Sequence, residues 1–261
     1  GGQATGWTFE TLGVTQVSAP AGAAMVGLAE NDAGVWAMSN RAQLFRFTSG
    51  AGFVEQVALG VNHVVAFGAG PGGRLFFATA SRLGWCDVDC TSAGNWTTLE
   101  SGSVTIQWVD LCPVSDTDVL VVGNGSSELG QLHRWVDGGL ESARAAGNVV
   151  RLSRCWRGAG GRVHVAGQNA VVTFDAASGG VSTETTVSNA AWKSGAWLDG
   201  RNFVFGPGFR VAEGPGWSDL SSSGGIDAIL AVATVSSSLS FGFGGSVNSS
   251  PRNLWRYDGS A

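Results

Sequence analysis

Four polar residues hold one place in a repeating register. His63, Gln107, Arg151 and Asp227 each stand twelve residues before a recurring apolar tetrapeptide, respectively Leu75-Phe76-Phe77-Ala78, Val119-Leu120-Val121-Val122, Val163-His164-Val165-Ala166 and Leu239-Ser240-Phe241-Gly242. Equivalent positions of a closed repeat converge on one axis. An imidazole, an amide, a guanidinium and a carboxylate gathered there would hydrogen-bond the hydroxyl groups of a small polar ligand. Trp108 and Trp192 lie beside the same positions, and an aromatic face suits the apolar C–H side of a sugar ring. The expected ligand is therefore small, polar and carbohydrate-like, held by His63, Gln107, Trp108, Arg151, Trp192 and Asp227. Pairing of His63 with Asp227 across the axis would raise the imidazole pKa and give a general acid or base. That pairing is inferred from register alone, and no catalytic residue is assigned.

Other chemistry lacks its spacing. Ser126-Ser127-Glu128 and the serines from Ser236 to Ser238 have no Gly-x-Ser-x-Gly frame, so a nucleophile elbow is absent. Gly68-Ala69-Gly70-Pro71-Gly72-Gly73 has neither the Lys nor the following helix of a phosphate loop and reads as a hairpin turn. His133 and His164 fall inside strands, where packing explains them. Arg151 and Arg154, three residues apart on a strand, face opposite sides, so at most one enters a shared pocket.

The elements that would position these residues follow from the repeat. Beside the four tetrapeptides above, Val35-Trp36-Ala37-Met38 and Phe203-Val204-Phe205-Gly206 complete six copies, spaced 40, 44, 44, 40 and 36 residues apart. Upstream of each lies another apolar segment, such as Met25-Val26-Gly27-Leu28 or His63-Val64-Val65-Ala66-Phe67, across a Gly/Asp/Ser turn. Downstream comes an alternating strand, such as Leu44-Phe45-Arg46-Phe47 or Leu132-His133-Arg134-Trp135, and then a Trp-bearing fourth strand at Trp7, Trp96 or Trp217. No window carries a useful 3.6-residue apolar period. The expected fold is all-β, a six-bladed β-propeller of four-stranded blades over residues 1–261, because sandwiches do not require a fixed repeat. After Tyr257 the last blade lacks a fourth strand, and Trp7 to Leu12 precedes the first blade without a place in it. The amino-terminal strand is expected to fill the vacancy and close the ring.

Four cysteines allow three complete pairings. Cys86-Asp87-Val88-Asp89-Cys90 falls at the end of a third strand, where a tight loop can join its own sulfurs. Cys112 and Cys155 stand seven and eight residues before Val119 and Val163, at nearly equivalent places on adjacent innermost strands. Disulfides 86–90 and 112–155 are expected. The alternative for Cys86 and Cys90 is a metal or redox pair, but no second close pair and no nearby His completes a zinc set. Two disulfides place the chain in an oxidising compartment, periplasmic or extracellular.

Composition narrows partners. Charged residues are only 13% of the chain, net charge is -5, and eleven Trp with thirteen Phe require a large core, which excludes ordinary disorder. One Lys and scattered Arg form no basic stripe, so nucleic acid is not an expected partner. No apolar run reaches the length of a membrane span, and Gly1 to Gly13 lacks the charged start and apolar centre of a signal peptide. The chain is expected to be a monomer.

The succession Val35-Trp36-Ala37, Leu44-Phe45-Arg46-Phe47, then Gly6-Trp7-Thr8 or Asn95-Trp96-Thr97, resembles the repeats of secreted bacterial six-bladed β-propellers, gluconolactonase-like proteins among them. The resemblance covers nearly the whole chain as architecture. In the lactonases it implies a divalent cation held by Glu, Asp and Asn side chains near the ends of innermost strands, and hydrolysis of a sugar lactone. Those ligands have no full counterpart here: Glu30 falls at the wrong end of its strand, and only Asp227 and Asn62 stand near suitable positions. No metal and no cofactor is therefore expected, and a binding or interaction scaffold is preferred to a lactone hydrolase.

Overall fold

A computed structural model describes residues 7–9, 24–49, 51–102, 105–185, 192–206, 209–213, 216–219, 229–236, 239–246 and 249–257. The chain divides into two units, residues 15–145 and residues 1–14 with 146–261. All the sheets are antiparallel, and no described helix is long and apolar enough to cross a membrane.

Strand β1 (Trp7–Phe9) belongs with the second unit. The first unit opens with β2 (Met25–Asn31), β3 (Gly34–Ser39), β4 (Gln43–Thr48) and β5 (Gly52–Ala58), hydrogen-bonded in that order. A second four-stranded sheet comprises β6 (Val64–Ala69), β7 (Leu75–Thr79), β8 (Arg82–Cys86) and β9 (Trp96–Glu100). The third is five-stranded: β10 (Gln107–Ser115), β11 (Asp118–Asn124), β12 (Leu129–Val136) and β13 (Gly139–Leu140), with β14 (Arg144–Val150) also paired to β12. The recurring tetrapeptides are the second strands. Leu75 to Thr79 and Val119 to Gly123 are buried at every residue, which is why they read as unbroken apolar runs rather than alternating ones.

Side-chain alternation explains how the middle sheet is held. Leu75 and Phe77 of β7 face the first sheet and join Trp36, Met38 and Leu44, whereas Phe76 and Ala78 face the third and join Trp108, Val121 and Trp135. Each such aromatic removed from water contributes on the order of 2 kcal/mol. Gly84 stands directly opposite Phe77 across β7 and β8, and the ring lies over the bare glycine.

In the other unit β15 (Cys155–Arg157), β16 (Arg162–Gly167), β17 (Ala170–Asp175) and β18 (Gly180–Thr185) form one sheet, and β19 (Ser194–Leu198), β20 (Arg201–Phe205), β21 (Phe209–Glu213) and β22 (Gly216–Asp219) another. Trp156, Ala166, Val171, Trp192 and Val204 pack between them. The last described sheet runs β23 (Ile229–Ser236), β24 (Leu239–Ser246), β25 (Ser249–Tyr257) and then β1, with Trp7 opposite Tyr257 and Phe9 opposite Trp255.

Cys86 and Cys90 are joined in a disulfide, with Cα atoms 5.7 Å apart, and the loop is pinned by the Trp96 indole N–H donating to the Cys90 carbonyl at 3.1 Å. Cys112 and Cys155 are also oxidised, so no cysteine is a free thiol.

Candidate functional site

The positions twelve residues before the second strands lie where each first strand begins. His63 precedes β6 with φ of 59°, exposed, and the N–H of the next residue, Val64, donates to the carbonyl of Asn40 at 3.0 Å. Asn40 in turn is tied to Ala24 in both directions: its N–H donates to the Ala24 carbonyl, and its Oδ1 accepts the Ala24 N–H. One sheet further, Gln107 is exposed at the start of β10 opposite Asn124, and the Trp108 N–H donates to the Ala80 carbonyl at 2.9 Å. The same hydrogen bond thus stitches the start of one first strand to the loop leaving the previous sheet's second strand. It keeps His63 beside Asn40, and Gln107 beside Ala80.

Arg151 occupies the matching place before β15, exposed and again left-handed, with φ of 55°. Beside it the Val150 carbonyl accepts the N–H of Gln168. A left-handed backbone costs a non-glycine residue about 1 kcal/mol, and such residues concentrate at functional sites. Asp227, the fourth expected member, lies outside the described residues, and so does its pairing with His63.

Trp108 and Trp192 are corrected as ligand platforms. Trp108 is 1% exposed, and its indole N–H donates to His133 Nδ1 at 2.9 Å; Trp192 is 2% exposed in the core beside Trp156, and its carbonyl accepts the Ser153 hydroxyl. At Trp108 the backbone carries a β-bulge. Trp108 pairs with Gly123 and Asp110 with Val122, leaving Val109 as the extra residue, and Trp108 leans over a glycine instead of turning outward. Bulges fall at the same point between Met25 and Gly27, Val64 and Ala66, and Ile229 and Ala231. Glu30 lies near the end of β2, opposite Val35 beside the turn to β3 and away from the start of the strand.

The two remaining histidines are structural. His133 is held neutral by burial, and its Nδ1 accepts the Trp108 indole proton, which places its own proton on Nε2. His164 is 7% exposed, stacked on Trp197, and joined by a 2.9 Å hydrogen bond to Thr173. Burial, aided by the Arg162 charge, pushes its pKa down to about 4. The unfolded imidazole, at about 6.5, then binds more protons than the folded one between those values, so stability is greatest above that window and falls as pH drops through it. The loss approaches about 3 kcal/mol near pH 4, and His133 adds in the same direction. Thermal melts from pH 7 to about pH 4 should show a steep fall that His164→Gln reduces; an equal fall in both proteins would remove His164 as the cause.

Among the described residues no group of three or more His, Cys, Asp and Glu side chains is placed to hold a metal ion. One feature that the repeat does not announce is a cavity of about 280 Å³ bounded by Trp36, Arg46 and the loop from Asp87 to Thr91. Its signal in the sequence is the pair of acids inside the Cys86–Cys90 loop.

No protein-family model and no curated protein matches the chain. Solved structures do. The β-propeller domain of Swd1 from Myceliophteria thermophila shares 9% identity over 89% of this chain and 83% of that one, with a TM-score of 0.61. Raptor from Chaetomium thermophilum shares 9% over 93% of this chain and 24% of that chain, at 0.65. The extracellular domain of the hybrid two-component system BT3049 from B. thetaiotaomicron shares 13% over 87% of this chain, at 0.59; this chain spans about a third (32%) of its length. At these identities the likeness is one of fold alone, and the fold is that of a β-propeller.

Proposed function

We propose that the chain is a six-bladed β-propeller closed by its amino-terminal strand, acting as a monomeric binding scaffold in the periplasm or outside the cell. Its ligand is small and polar, of carbohydrate type, and is held where the first strands begin by His63, Gln107, Arg151 and Asp227. The observation that carries this reading is the left-handed, exposed backbone of His63 and Arg151, at corresponding places 88 residues apart. Glycine would relieve the strain at either position, and a polar side chain stands there instead. Oxidation of all four cysteines supports the compartment. The Cys112–Cys155 pairing is part of the proposal, and non-reducing peptide mapping checks it: linkage of either residue to Cys86 or Cys90 would overturn the blade register.

His63→Gly separates binding from folding. Relief of the left-handed strain should leave stability unchanged or raise it by about 0.5–1 kcal/mol, while removal of the imidazole abolishes or weakens ligand binding. A variant that melts lower than the parent and binds equally well would make His63 a structural residue.

A further inference from the structure

We infer that Asn40 determines which sugar binds beside His63 and that it selects one carrying a carboxylate, a role that rests on the carbohydrate site proposed above. Asn40 and Arg41 form the two-residue turn between β3 and β4. The turn is closed by the Ala42 N–H donating to the Ser39 carbonyl at 3.0 Å, and the Ser39 hydroxyl accepts the N–H groups of Arg41 and Gln43, each at 3.2 Å. Because the Val64 N–H reaches the Asn40 carbonyl at 3.0 Å, Asn40 stands next to exposed His63, on a neighbouring sheet of the same unit.

That stitch between sheets asks nothing of the side chain. One sheet further, Ala80 accepts the Trp108 N–H at 2.9 Å with only a methyl group to offer. The Asn40 side chain has one structural contact, its Oδ1 accepting the Ala24 N–H at 3.3 Å while its own backbone N–H donates to the Ala24 carbonyl at 2.8 Å. A backbone N–H can only donate, which fixes the amide with Oδ1 on Ala24 and turns both Nδ2 protons away from it. An aspartate would hold Ala24 equally well. What asparagine adds is a pair of donors at a half-buried position, and no acceptor among the described residues takes them. Held in place before a ligand arrives, they lose little freedom on binding.

Their complement is an oxygen that has lone pairs and no proton. Hydrogen bonds to a carboxylate are roughly twice as strong as those to a neutral hydroxyl. Arg41, next on the same turn, favours the charged acceptor further: it is exposed and is ion-paired with no carboxylate among the described residues. The ligand class is therefore a uronic acid or its glycoside.

The test is titration of the full chain with methyl β-D-glucopyranosiduronate and, in parallel, with neutral methyl β-D-glucopyranoside, followed by NMR through the Asn40 side-chain amide protons and the His63 imidazole. The uronate should shift both sets saturably and bind about tenfold tighter than the glucoside. Asn40→Asp keeps an acceptor for Ala24 and replaces two donors by a negative charge, so uronate affinity should fall about tenfold or more with the melting midpoint within about 2 °C of the parent's. If that variant melts well below the parent, Arg41→Gln, on an exposed turn, decides instead, with a loss of about threefold expected and equal binding overturning the acidic class. A shift at His63 without one at Asn40, or Asn40→Asp binding the uronate as the parent does, overturns the role of Asn40 and leaves the site beside His63 in place. Equal affinity for the neutral glucoside also overturns the acidic class. Silence of both residues with both sugars at tens of millimolar overturns the carbohydrate site itself, and the role of Asn40 with it.

Discussion

Removal of residues 1–12 is expected to cost on the order of 3 kcal/mol, lowering the thermal midpoint by about 6–12 °C. Strand β1 pairs with the end of β25 over three residues, Trp7 to Phe9 against Tyr257 to Trp255. Without it Trp255 to Tyr257 would lose their partner strand and leave open N–H and C=O groups at the edge of β25, a template for association with other chains. Light scattering should therefore show aggregation alongside the lowered melt. A synthetic peptide of residues 1–12 added to the truncated protein should recover part of the midpoint, which a general weakening of the fold would not permit. A truncated protein that melts within a degree or two of the parent and stays monomeric would contradict closure by this strand.

A single methyl group at Gly84 should cost about 3 kcal/mol. A Cβ there would come within 3.0 Å of three ring carbons of Phe77, closer than non-bonded carbons approach. The ring has nowhere to retreat, since Phe77 is fully buried and packed 5.5 Å, centre to centre, from Trp96. Gly102→Ala is the control. It also places a Cβ on glycine backbone, with φ of 67°, but nothing lies within 4 Å, so only the backbone term of about 1 kcal/mol remains. Calorimetry that ranks Gly102→Ala at or above Gly84→Ala in cost would mean that the Phe77 ring is not locked.

The strands are legible because apolar runs and turn residues repeat. The second strands, buried on both faces, announce themselves as Leu75 to Ala78 or Val119 to Val122, and the Trp-led fourth strand at Trp96 follows the same logic. The fourth strand of the first sheet, Gly52–Ala58, carries no Trp and has no comparable signal. Side-chain direction at the site is not legible, because one extra residue in an inner strand such as β10 reverses the alternation that would predict it. Gly123, opposite Trp108, is the available clue: a glycine facing a tryptophan marks a place where the ring lies over the backbone. The cavity near Asp89 depends on two sheets and a disulfide loop meeting at one point. No local pattern encodes that meeting, and only the acids between the cysteines hint at it.

Binding where the first strands begin is tested most directly by a glycan array probed in parallel with the parent, His63→Gly and Arg151→Ala. Each side chain lost from a polar ligand removes a hydrogen bond of about 1–3 kcal/mol, enough to take a glycan signal down roughly tenfold. The predicted result is a restricted set of glycans retained by the parent and lost by both variants, with His63→Gly melting at or slightly above the parent's midpoint. A set retained equally by all three proteins, or no glycan retained by the parent, would contradict the proposed role of His63 and Arg151 in carbohydrate binding.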